Sequence, residues 1–190
     1  RFLRANASRY GIDGTRVGVW GGSAGGHLTA LTAMTCGVAS LDAPLAPGAA
    51  APAAGSECVQ AAVTWYGVYD FAPMLARTAT APGSPPNLLI RCRPDDCPAE
   101  RVAAVSPVTY IDPSDPPFLL IHGDADTQVP VAQSHLAEER LRAAGVPVEA
   151  IYIPGAEHSF IMATPEQTHS VTMRAVNATF DFFHRKLGVR

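Results

Sequence analysis

Val17-Gly18-Val19-Trp20-Gly21-Gly22-Ser23-Ala24-Gly25-Gly26-His27-Leu28 is the stretch on which the fold turns. Val17 to Trp20 is a short apolar run of the kind a buried strand makes. Gly21-Gly22 breaks it, and from His27 to about Cys36 the pattern becomes helical, with Leu28 and Leu31 at i, i+3 spacing. Between strand and helix lies Gly21-Gly22-Ser23-Ala24-Gly25, a GxSxG pattern. A turn this tight has no room for side chains at the flanking positions. Glycines there let Ser23 take a strained conformation with its hydroxyl exposed, which makes it a candidate nucleophile. The helix beginning beside it points N–H groups at the same spot, and the Ala24 N–H is a candidate donor to a developing oxyanion. The plain alternative is a glycine-rich turn with a capping serine.

Working outward, three more apolar runs end in turn residues: Val59 to Tyr66 before Gly67, Phe118 to Ile121 before Gly123, and Val148 to Ile153 before Pro154-Gly155. Between the last two, Ala137, Leu141 and Ala144 at i, i+4, i+7 predict a helix that Gly145 ends. Thr164-Pro165-Glu166-Gln167 supplies an N-cap, an N1 proline and a capping-box partner for a final helix, with Met173, Val176, Phe180, Phe183 and Leu187 on one face and Gly188 at its end. Strands that are apolar throughout and separated by helices predict an α/β fold with a mostly parallel sheet covered on both faces. Residues 37–57, rich in Ala, Gly and Pro, read as a surface loop, and the proline-rich stretch 71–105 as short helices and loops forming a lid-like insertion.

A chain of 190 residues, 47% hydrophobic and 16% charged, suits one domain with a packed core. Its net charge of −3 carries no basic block for nucleic acid. No apolar run reaches the roughly 18–20 residues of a spanning helix. Lys186 is the only lysine among the 14 basic residues, which reads as base composition of the genome rather than mechanism. Small or neutral molecules are therefore the expected partners, with neither nucleic acid nor a membrane among them.

Ligands of parallel sheets bind at the carboxyl ends of the strands, and three of the four strand endings carry chemistry. Besides Ser23, the ending His122-Gly123-Asp124-Ala125-Asp126 offers two aspartates, either of which can orient a histidine and stabilise its charged form. The bland role for either is an Asx-turn or helix cap. Gly155-Ala156-Glu157-His158-Ser159-Phe160 places His158 on a loop after the last strand. Of the other histidines, His135, His169 and His184 fall on helices, His27 packs beneath the serine turn, and His122 fixes the aspartate loop. His158 remains as the base a serine hydroxyl needs at neutral pH. The four cysteines lack paired CxxC spacing, and neither an HExxH nor a GxxxxGK motif occurs, so no metal and no cofactor is expected. Trp65, Tyr66 and Asp70, just after the second strand, are candidate pocket residues.

Taken together, Gly18 to Leu28 resembles the nucleophile elbow of feruloyl-esterase-like and acetyl-esterase-like (hormone-sensitive-lipase-like) members of the α/β-hydrolase superfamily. His122-Gly123-Asp124-Ala125-Asp126 through Val129-Pro130 is similar to the acid loop that these esterases share with prolyl-oligopeptidase-type peptidases. There the second aspartate is the triad member, which implies Asp126. The Gly155 to Phe160 loop is similar to the histidine loop of both. The resemblance implies a serine esterase with Ser23, Asp126 and His158 in Ser…Asp…His order and a small-molecule ester as substrate. Such esterases also carry a His-Gly-Gly motif well before the serine, and residues 1–17 contain no match. The chain, opening at Arg1 without an initiator Met, therefore reads as the C-terminal portion of the fold, with the N-terminal strands absent and the serine strand left at a sheet edge. Pairing Cys36 with Cys58 and Cys92 with Cys97 would staple two loops and suit an oxidising, extracytoplasmic setting; four reduced thiols are the alternative.

Three functions compete on these motifs: a carboxylester hydrolase, a prolyl-oligopeptidase-type serine peptidase, and a non-catalytic fragment that keeps the motif residues. An upstream His-Gly-Gly loop separates the first from the second, which would carry a propeller domain. Reactivity of Ser23 separates both from the third.

Overall fold

The structure, a computed structural model, describes residues 1–38, 56–78, 83–92 and 96–188. Two short helices, α1 (Phe2–Ala5) and α2 (Ala7–Tyr10), lead into strand β1 (Gly18–Gly22), which turns directly into α3 (Ala24–Met34). Then come β2 (Ala61–Trp65), the short helices α4 (Phe71–Arg77), α5 (Pro85–Ile90) and α6 (Ala99–Ala104), and β3 (Phe118–Gly123). Helix α7 (Ala132–Ala143), β4 (Val148–Ile153) and α8 (Pro165–Leu187) complete the chain. The four strands form one parallel sheet in the order β1-β2-β3-β4. The expected loop at 37–57 lies mostly outside the described residues, as does part of the proposed insertion at 71–105.

Alternation along the strands divides the core. Ala62, Phe118 and Leu120 face Ala30, Ala33 and Met34 of α3 and Ala137 and Leu141 of α7. Ala61, Val63, Trp65, Leu119 and Ile121 point the other way, onto Val171, Ala175 and Phe182 of α8. β2 and β3 are buried throughout, and each large aliphatic or aromatic side chain among them contributes about 1.5–3 kcal/mol by leaving water. Among the described residues no helix is long and apolar enough to cross a membrane.

The capping signals hold. Thr164 Oγ1 accepts from the Gln167 N–H and Gln167 Oε1 from the Thr164 N–H, both at 3.2 Å. Gly145, at φ 79°, ends α7, with the Val146 N–H reaching back to the Leu141 carbonyl. The apolar face expected on α8 is corrected. Its sheet-facing line is Val171, Ala175, Thr179 and Phe182, flanked by the partly buried Val176, Phe183 and Leu187, while Met173 and Phe180 stay 42% and 50% exposed. Small residues let α8 approach closely. Thr179 belongs in that line because its hydroxyl accepts the Trp65 indole N–H at 3.0 Å and donates to the Ala175 carbonyl. Phe180 instead leans edge-on against Trp20, itself 41% exposed on the edge strand β1. Cys36 is bonded to Cys58, and Cys92 to Cys97.

Just before β3, Asp115 is buried and accepts a hydrogen bond from the Asp112 N–H. Burial, with the charge of Asp112 adding to it, pushes its carboxyl up from 3.8 to about 6 against that hydrogen bond. The folded state thus holds the proton more tightly than the unfolded chain, and stability present below pH 4 is lost as pH rises through 6. Asp115→Asn is expected to raise stability at pH 7–8 by up to about 3 kcal/mol and leave it unchanged near pH 4, read by thermal melts at the two pH values.

Candidate active site

Each strand delivers one residue to the same corner. Ser23 follows β1, Tyr66 follows β2, Asp126 lies in the loop after β3, and His158 in the loop after β4. Ser23 sits at φ 55°, ψ −120°, a conformation costly for a residue with a Cβ. It is held by its N–H on the Trp65 carbonyl (2.9 Å), while its own carbonyl accepts the His27 N–H that starts α3. A Cβ on Gly21 would run into the carbonyl of Gly25, and one on Gly26 would stand 2.9 Å from the Trp65 carbonyl. Gly25 itself has open space at that position, so the crowding foreseen at both flanking glycines falls on Gly21 and Gly26.

Ser23, His158 and Asp126 are brought together. His158 Nδ1 lies 2.7 Å from Asp126 Oδ2, and its Nε2 lies 2.9 Å from Ser23 Oγ. A carboxylate can only accept, so Nδ1 carries the hydrogen and Nε2 is free to take one from the serine. Asp126 Oδ1 accepts the N–H groups of Gln128 (2.9 Å) and Val129 (2.8 Å). Burial by itself would raise the Asp126 carboxyl, but hydrogen bonds from His122, His158 and the Val129 N–H outweigh it and hold the group below its ordinary value. Ala24, the first residue of α3, offers one of the first-turn N–H groups that no intrahelical carbonyl reaches, next to Ser23 Oγ.

Asp124 has a different task. Its Oδ1 accepts the Gly155 N–H at 2.7 Å, which ties the aspartate loop to the histidine loop. The Ala125 N–H on the Ala156 carbonyl, and Thr127 N–H and Oγ1 on Glu157 Oε2, add three more ties between the same loops. Directly after His158, Ser159 and Phe160 both take positive φ (62° and 58°), and the buried Phe160 pins the loop from below. His27 donates Nε2–H to the Val105 carbonyl at 2.7 Å and lies tilted against the Phe71 ring; burial lowers its pKa, with the Val105 bond pulling the other way.

The three residues expected to shape a pocket part company. Tyr66 packs edge-on against His158, and burial raises its phenol. Trp65 points away, into the α8 side of the core, and Asp70 caps α4 by accepting the Ala72 N–H. A cavity of about 450 Å³ opens beside Ser23 and His158, walled mainly by Val68, Phe71 and Met74 around α4, Pro86 and Leu89 of α5, and Val129. Its walls come largely from short helices and loops in the proline-rich stretch, where the sequence offers no periodicity to mark them.

Comparison with known proteins bears on this corner. The BD-FAE family matches residues 1–141. Esterase LipQ of Mycobacterium tuberculosis is 33% identical over 190 residues, covering all of this chain and 43% of its own length. A bifunctional GH43-CE protein of Bacteroides eggerthii superposes with a TM-score of 0.75 at 32% identity, over 98% of this chain and 24% of that one. A truncated carbohydrate esterase from gut microbiota does so with a TM-score of 0.71 at 28% identity, over 99% and 65%. The chain thus spans less than half the length of LipQ. With its parallel sheet, its serine turn and the family match over 141 residues, this chain belongs to the BD-FAE family of the α/β-hydrolase fold.

Proposed function

We propose that this protein is a serine carboxylester hydrolase working through an acyl-enzyme. The observation that carries the reading is the continuous hydrogen-bond chain from Ser23 Oγ through both ring nitrogens of His158 to Asp126. In this mechanism His158 Nε2 takes the serine proton as Oγ attacks the ester carbonyl. The Nδ1–H stays on Asp126, which stabilises the imidazolium and keeps the ring in the productive tautomer. Negative charge gathers on the carbonyl oxygen and meets the Ala24 N–H and the positive end of α3. As the intermediate collapses, the C–O bond breaks and the alcohol leaves with the proton from His158. Water, deprotonated by the same imidazole, then cleaves the acyl-serine and restores the hydroxyl.

The cavity lined by Met74 and Leu89 is the proposed seat of one apolar part of the ester, and Tyr66 the proposed wall behind the imidazole. The names of LipQ and of the truncated carbohydrate esterase support an ester over a peptide. A fluorophosphonate probe followed by peptide mapping tests the proposal. A single covalent adduct on Ser23 is expected. A chain that stays unlabelled, or is labelled on another residue, sinks the assignment.

A further inference from the structure

His122 is fully buried on β3, and neither the proton transfers nor the oxyanion site uses it. Its Nε2 lies 2.9 Å from the Val129 carbonyl and 3.3 Å from Asp126 Oδ2. A backbone carbonyl only accepts, so Nε2 carries the hydrogen and presents it to the carbonyl and the carboxylate together. On the other side of the ring, Nδ1 lies 2.7 Å from the hydroxyl of Ser134, a residue of α7 with no exposure at all. That hydroxyl can donate to Nδ1, which fixes the tautomer the Nε2 contacts require. Behind it stands Tyr69, hydrogen-bonded in turn to Thr64 and Ser134.

Asp126 Oδ2 is therefore shared by two imidazoles, His122 from inside the protein and His158 from the cavity side. Oδ1 is taken by two backbone N–H groups, and Oδ2 has the His158 Nδ1–H group at 2.7 Å and the His122 Nε2–H group at 3.3 Å. We propose that His122 is a positioning residue that acts through Asp126: its Nε2–H, aimed by Ser134, fixes Oδ2 and draws off part of its charge, which sets how strongly Asp126 holds the hydrogen of His158. The inference rests on the hydrolase reading. Among the described residues, the other ionisable side chains turned toward this corner are Tyr66 after β2, His27 on α3, Tyr69 behind Ser134, Asp124 and Glu157 in the two tethered loops, and Arg77 of α4 on the Thr127 carbonyl.

The sign of the effect follows. Without the inner donor, Asp126 carries more charge, favours protonated His158 more, and leaves less of the neutral base at a given pH. The test compares wild type, His122→Met, His122→Gln and Ser134→Ala. It reads the rate of fluorophosphonate labelling across pH, kcat and KM on p-nitrophenyl acetate, and the melting temperature of each. His122→Met fills the space with no donor. It is expected to move the acid limb of the labelling profile up by about 0.5–1 pH unit. Its kcat should fall about 10- to 100-fold, the cost of a small displacement of the base, with KM changed less than about threefold. His122→Gln, which keeps an N–H at the end of the side chain, is expected to restore the limb and most of kcat. Ser134→Ala should move the limb the same way by a smaller step.

A folded His122→Met with the wild-type limb overturns the proposal. Where that variant does not fold, an unmoved limb in Ser134→Ala overturns it instead. A wild-type chain that takes no label at all brings down the hydrolase reading, and the inference with it. A labelled wild type whose variants keep its profile brings down the positioning role alone.

Discussion

Ser23→Ala is expected to lower kcat on a short-chain aryl ester by about 10⁴- to 10⁶-fold and to abolish fluorophosphonate labelling, while the protein melts at its usual temperature. The reason is specific to the geometry. Ser23 Oγ is the oxygen within reach of His158 Nε2, and the elbow that carries it is held by backbone: its N–H on Trp65 and its carbonyl on the His27 N–H. An alanine keeps both bonds and loses only the nucleophile. Alanine keeps the Cβ and with it the same backbone strain, so the folded state should be little changed. A variant that keeps its rate within tenfold of the parent would remove Ser23 from the chemistry and leave the corner as a binding site.

The second large effect is Asp126→Asn, with an expected loss of about 10⁴-fold in kcat. Asparagine fits the same space, and its oxygen can still accept the Gln128 and Val129 N–H groups. Its amide then faces the imidazole rings with N–H instead of a second acceptor. His158 must place its hydrogen on Nε2 to meet it, and that tautomer cannot take a proton from Ser23. Asp124→Asn is the control two residues away. Its side-chain oxygen can still accept the Gly155 N–H, so its kcat should stay within about tenfold. Equal losses in the two variants would mean that the loop, not the charge of Asp126, matters.

The grouping of Ser23, Asp126 and His158 into one candidate site was largely legible in the sequence because each of its three parts is local. GxSxG after an apolar run, Asp after HG, and GAEH after the last run each carry their own turn chemistry, and the parallel sheet brings consecutive strand ends side by side. What escaped was whatever depends on which face a residue takes. Trp65 stands one position before Tyr66, yet strand alternation sends it with Ala61 and Val63 toward α8, away from the serine. Asp70 is consumed by its own helix as a cap. On α8, counting large apolar residues favoured Met173 and Phe180, whereas the sheet selects the small Ala175 and Thr179 that let the helix come close. His122 was read as a loop-fixing residue. Its contact with Asp126 Oδ2 spans the four residues that fold the loop back on its own strand, a return that only the three-dimensional turn makes visible.

The ties between the aspartate and histidine loops also decide how the corner moves. Asp124 to Gly155, Ala125 to Ala156 and Thr127 to Glu157 fasten the two loops into one piece, continuous with paired strands β3 and β4. Ser23 rides on another piece, β1 and α3, joined to β2. Of the two contacts of His158, the one to Ser23 Oγ joins these two parts, while the one to Asp126 lies within the tied loops. His158 and Asp126 thus sit together on the β3–β4 side of the sheet and Ser23 on the β1 side, with the β2–β3 pairing between them. A distant substitution that loosens β1 is expected to slow fluorophosphonate labelling before it disturbs the aspartate–imidazole pair.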